Sequence, residues 1–238
     1  NNVAIGYAAM DANTTGANNT AMGHAALGAN TTGAYNVAVG FQALAANTTG
    51  RNVALGADSL VANTTGSSNC GLGDSTLALN TTGAGNTAAG FNALDSNTTA
   101  SNNSAFGFNA LGLNTTGANN TAVGTRALGE STTGLENVAL GVGAGEKLTT
   151  GNYNVCVGYL AGAHDVNLTT GIGNVLLGDY ADTTAADSDF ATAIGYNVSG
   201  AAGYTTVGQN TSDIRASHGV ATWAAVSDQR YKKDIVDS

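Results

Sequence analysis

Three histidines, two cysteines and a recurring Asn-x-Thr triplet are the residues of this 238-residue chain whose types invite chemistry. A metal centre needs several ligands converging on one point, but His24, His164 and His218 stand singly in unrelated contexts. Cys70 and Cys156 lie five repeats apart, about 24 Å at the spacing of stacked strands and beyond disulfide reach. Both read as small buried hydrophobes. The Asn-x-Thr triplet, as in Asn30-Thr31-Thr32, is a glycosylation acceptor in a eukaryotic secretory pathway, yet a turn-forming role accounts for it without that assumption. Tyr7, His24, Phe41, Phe91, Phe108, Tyr159 and Tyr196 share one repeat position, mixed there with Asp74 and Thr125, and form a stripe suited to stacking on sugars or, the simpler reading, to partial burial at a subunit seam. No Ser-His-Asp, paired-carboxylate or phosphate-loop arrangement recurs, and the Gly-Gly-x-Gly-x-Asp signature of calcium rolls is missing. No metal, cofactor or enzymatic turnover is expected.

What positions these residues is a period of seventeen. The stretch Asn19 to Tyr35 contains it once, and the glycine closing the phrase Asn-x-Ala-x-Gly recurs at Gly6, Gly23, Gly40, Gly56 and Gly73, continues at the same rhythm to Gly158, and reappears at Gly178, Gly195 and Gly208. A short period held this long predicts an all-β parallel solenoid (a β-roll) of ~17-residue coils, on the order of 60 Å long. The first phrase reads as a strand whose fourth position (Ile5, Met22, Val39, Leu55) is an apolar ladder. A second strand is expected through Ala26-Leu27 and its equivalents, its Leu27, Leu44 and Leu60 column facing the same interior as that ladder. Asn-Thr-Thr-Gly, first at Asn13, is the corner, where Asn and Gly accommodate positive φ. Stacked coils would align the asparagines into hydrogen-bonded columns, and proline, which lacks the N–H such pairing needs, is absent. Three segments follow: regular repeats over 1–178, degenerate capping repeats over 179–211, and a C-terminal segment over 212–238.

Composition excludes several classes. With 34 glycines, 42% hydrophobic residues among which alanine is the most frequent, and 10% charged residues, the chain is too apolar and regular for disorder and too poor in bulky side chains for a conventional globule. A net charge of −9 argues against nucleic acid and anionic membranes as partners, and no apolar run is long enough for membrane insertion. The opening Asn1-Asn2-Val3 falls inside a repeat phrase, so the chain is read as a piece of a longer polypeptide. A thin roll built from Ala, Gly and one or two larger apolar residues per coil buries little area at ~25 cal/mol per Å². Assembly as a homotrimer, with Ala-lined faces pressed against sister chains, is expected to recover the deficit.

The phrase Asn2-Val3-Ala4-Ile5-Gly6 resembles the repeat of YadA-type trimeric autotransporter heads, left-handed parallel β-rolls of shorter period. At the other end, Ser227-Asp228-Gln229-Arg230-Tyr231-Lys232-Lys233-Asp234-Ile235 resembles the opening of the endosialidase-type intramolecular chaperone domain that follows phage tailspikes and tail fibres. That resemblance implies a homotrimer and self-cleavage at Val226–Ser227, with Ser227 as nucleophile and Lys232 as its general base, where the rest of the domain is present. An unactivated serine needs a base, and a desolvated lysine serves. The function expected is a structural and adhesive segment of a phage tail fibre, extracellular on the virion, that presents or forms a surface for a host receptor such as a cell-surface glycan. A bacterial surface adhesin head is the alternative. An ice-binding solenoid is a weaker one, since it needs a flat Thr-x-Thr array and these threonines are adjacent at a turn.

Overall fold

The computed structural model describes residues 1–210, 212–219 and 224–225. Eleven three-residue strands, from Val3–Ile5, Thr20–Met22 and Val37–Val39 to Val175–Leu177, are followed by Thr192–Tyr196 and Tyr204–Gln209, all paired parallel in chain order. The sheet ends on Ser212–Ser217 and Ala224–Ala225, which run antiparallel and complete fifteen strands. The chain is a parallel β-solenoid, as its period requires, and no helix occurs among the described residues.

The second strand is absent from the regular coils and appears only near the end, where Asp182–Thr183 pairs parallel with Ser199–Gly200. Residues 24–29 form successive tight turns, with Ala25 and Leu27 in the left-handed region at φ 55° and 52°. Amides alternate in their use: those of Ala26, Gly28 and Asn30 close back on the third residue before them, while those of Leu27 and Ala29 reach the next coil at 3.0 and 2.9 Å. With half the donors spent within the coil, no continuous ladder forms. A left-handed non-glycine residue costs about 1–2 kcal/mol; complete burial of the leucine contributes about 1.5–3 kcal/mol in return.

The interior also differs from the expected one. Successive strand residues point to opposite faces, and the third position points inward: Ala21, Ala38, Ala54 and Ala88 are fully buried. The fourth-position ladder points out, with Met22 40%, Leu72 39% and Phe106 42% exposed. The leucine column therefore packs on the alanines, not on the apolar ladder. Alanine lines the inside of most coils and is unavailable there as a flank for sister chains. Gly71, standing where the neighbouring coils have alanine, shows the fit: a methyl group there would strike the hydroxyls of Ser59 and Thr76, a buried pair 2.7 Å apart on the facing wall.

Two asparagine columns run through the stack as anticipated. In the phrase-opening column each backbone N–H donates to the side chain one coil earlier, as Asn103 to Asn86 Oδ1 at 2.9 Å, and each Nδ2 donates to the corner carbonyl, as Asn103 to Gly117 at 2.8 Å. In the corner column Asn97 Nδ2 donates to Asn80 Oδ1 at 2.8 Å. Neither corner residue supplies positive φ. That falls two residues after the corner glycine, as at Tyr35 (φ 63°), whereas Gly33 is required because a methyl group would overlap the Asn30 side chain and the Thr49 carbonyl.

Irregular coils keep their strands aligned. The coil ending at Gly56 is one residue short, yet Val37 still pairs with Val53. Its loss falls at the corner, where Asn36 Nδ2 turns to the Thr49 carbonyl at 2.7 Å. Beyond Leu128 the leucine is replaced by Gly145 and Gly162, and the corner asparagine by the buried Leu148 and Leu168. Cys156 and Leu176 then take the alanine position, filling space the leucine has left. The three residues added before Leu168 are held by Asp182, whose buried carboxylate accepts the N–H groups of His164, Asp165, Val166 and Thr183 at 2.8–3.3 Å.

Candidate functional site

The sheet's outer face is the most extended uniform surface of the rod. From Val3 to Leu177 its second positions are Val, Thr, Ser or Cys and its fourth are Ile, Met, Val, Leu, Ala or Phe, with no charged residue at either. Beside it, one residue past the phrase glycine, runs the ring column. Tyr7, His24 and Phe41 stack at 5.4 Å with planes 18–20° apart, and Phe91 and Phe108 at 5.7 Å and 10°. These rings turn their faces to one another along the rod, leaving edges outward, an arrangement that suits a seam better than a platform for sugars. At the far end Tyr180, displaced by Asp179, meets Tyr159 and Tyr196 edge-on at 87° and 83°.

The glycosylation triplets fold inward. Asn30, Asn63, Asn80, Asn97 and Asn114 are fully buried, and their Nδ2 atoms, the groups a glycan would join, are engaged in the corner column. The first corner threonine donates its hydroxyl to the next coil, as Thr81 to the Thr98 carbonyl at 3.0 Å. The histidines remain apart: His24 sits in the ring column, His164 pairs with Asp165 at 3.1 Å, and His218 meets Thr205 Oγ1 at 3.2 Å. Among the described residues no group of three His, Cys, Asp or Glu converges as a metal site would need. Ser227, Lys232 and the Val226–Ser227 bond lie outside the described residues.

The two cysteines differ. Cys156 is buried and Cys70 half-buried. Burial, with the Asp182 carboxylate adding to it, pushes the Cys156 thiol up to about 12, and burial also raises Cys70. Because the thiolate is the reactive form, Cys156 is expected to resist maleimide near neutral pH in the folded chain while Cys70 labels slowly, as peptide mass spectrometry would read. Equal labelling would mean that the coil around Cys156 opens. The raised value also sets a sign: above the ordinary thiol value of 9.0 the unfolded chain loses this proton and the folded one keeps it, so stability falls as pH rises from there toward 12.

Sequence reasoning missed a shallow groove on the wall opposite the sheet. The position after the leucine column carries Gly112 and Gly129 in consecutive coils, flanked by Asp95 and Glu146. The missing side chains leave adjoining hollows of about 310 and 150 Å³ that share Asn109, Leu113 and Gly129. Two adjacent glycines at a position held elsewhere by Ala45 and Ala78 were the available signal. Asp182 was legible likewise, as an acid interrupting an apolar column. The chain matches no family model, no curated protein and no solved structure.

Proposed function

We propose that the chain is a structural and adhesive segment of a trimeric phage tail fibre, with the outer sheet face as the seam between copies. The observation that carries this reading is the uncharged apolar face itself. Three residues across and about 55 Å along the stack, it offers roughly 550 Å² per chain before the ring column is added. A patch of about that size is at the upper end of what single chains expose and is often functional, and a charge-depleted centre with an aromatic border is the composition of protein interfaces. The resemblances at both ends of the sequence supply the trimer and the phage setting. A rod held by axial asparagine columns and one shared seam transmits position and needs no catalytic group. Sedimentation equilibrium of the purified chain is expected to give a species of three chains across the micromolar range; a stable single chain would sink the reading.

A further inference from the structure

We propose that the groove over Gly112 and Gly129 is a binding site for a short neutral saccharide lying along the rod, a deepening of the adhesive part of the function above and dependent on it for its biological setting. The groove runs through four coils, about 14 Å at one strand spacing per step. Its walls carry the chemistry a polyol asks for. Asn92 and Asn109 present amides that both donate and accept, Asp95 presents a carboxylate, and half-exposed Leu113 (52%) offers an apolar surface for a C–H face.

The charges present favour a neutral ligand. At the far end Arg126 pairs with Glu146 at 3.7 Å and Lys147 with Glu130. Both cations are thereby matched, and no positive group is left over for an acidic sugar. Asp95 is different: its side chain makes no hydrogen bond or ion pair among the described residues, and burial raises its carboxyl. A partly buried carboxylate without a protein partner, at the edge of a hollow, is a group that a ligand hydroxyl can hydrogen-bond. The site also faces away from the proposed seam, because the leucines and alanines beneath it fill the core from the wall opposite the sheet. It remains open when three sheet faces are covered.

The array itself supplies tolerated substitutions. Alanine already occupies the position of Asp95 at Ala45 and Ala78, and the left-handed position of Asn109 at Ala8 and Ala25 (both φ 55°), so Asp95→Ala, Asn109→Ala and the hollow-filling Gly129→Ala keep the coil. Saturation-transfer NMR on the full chain, with maltotriose, cellotriose and N,N′,N″-triacetylchitotriose as probes and sialyllactose as the acidic comparison, is expected to show saturable binding of a neutral probe. Asp95→Ala and Asn109→Ala should each weaken it about tenfold, the cost of one hydrogen bond, and Gly129→Ala should weaken it by filling the hollow. No transfer to any neutral probe at millimolar concentration, preference for sialyllactose, or affinity unchanged in Asp95→Ala and Asn109→Ala would each overturn the proposal. Sedimentation of the same samples separates the two readings: three chains without saccharide binding overturns the groove alone, whereas a single chain that binds overturns the seam alone.

Discussion

An Asn103→Asp variant will lose several kcal/mol of stability at neutral pH and regain part of it in acid. Asn103 is fully enclosed, and its Nδ2 donates to the Gly117 carbonyl at 2.8 Å while its Oδ1 accepts from the Asn120 N–H at 2.8 Å. Aspartate keeps the acceptor and replaces the donor by an oxygen facing another oxygen, with a charge added where water does not reach. An unsatisfied buried carbonyl alone costs about 1–3 kcal/mol, and the charge adds to that. The folded state favours the protonated acid, which donates to Gly117, so the new carboxyl titrates above its unfolded value near 4. The penalty is therefore full above the raised value and shrinks as pH falls below it. Urea denaturation of variant and parent in parallel at neutral and acid pH measures this; a penalty that does not depend on pH would show that the column tolerates two acceptors.

Lysine at Leu72 and Val123 should leave the coil intact and abolish the proposed assembly. Both side chains point away from the core, 39% and 40% exposed, so the interior loses nothing. In a closed seam the two substitutions place six ammonium groups from three chains in an apolar strip, each desolvated without a partner, at several kcal/mol apiece. Sedimentation is expected to shift to single chains while circular dichroism of the diluted parent and the variant stays alike. Retained assembly would move the seam to another surface, whereas collapse of the β signal would mean that single chains do not fold alone.

The coil was legible because it is repetitive. A phrase that returns every seventeen residues with Ala third and Gly fifth leaves few architectures open, and the asparagine columns follow once the coils are stacked. The inside and outside of the strand were harder to assign, since bulk suggested that Ile5, Met22 and Leu55 belong to the core and alanine to its edge. Strand alternation decides otherwise: Leu27, entering from the far wall on a left-handed residue, leaves room for only a methyl group opposite. The same left-handed residues hid the absence of a second strand, because Ala-Ala-Leu carries no glycine to announce positive φ. The groove was hidden for another reason. Its glycines look like the backbone glycines of every coil, and only their neighbours Asp95 and Asn109 distinguish a missing side chain from a required turn.

The exchange of leucine and asparagine for Gly145 and Leu148 divides the rod into two kinds of unit. Apart from the coils matched to one another through Ser59, Gly71 and Thr76, those from Asn19 to Leu128 share the same internal faces above and below, so recombination that duplicates or deletes one of them joins like to like and changes reach without disturbing the join. Those carrying Gly145, Gly162 and Asp182 fit only in their present sequence, since Cys156 and Leu176 fill space that the ordinary leucine would claim. Variation in copy number is thereby confined to the first part of the rod, and the architecture beyond Leu128 is inherited as a block.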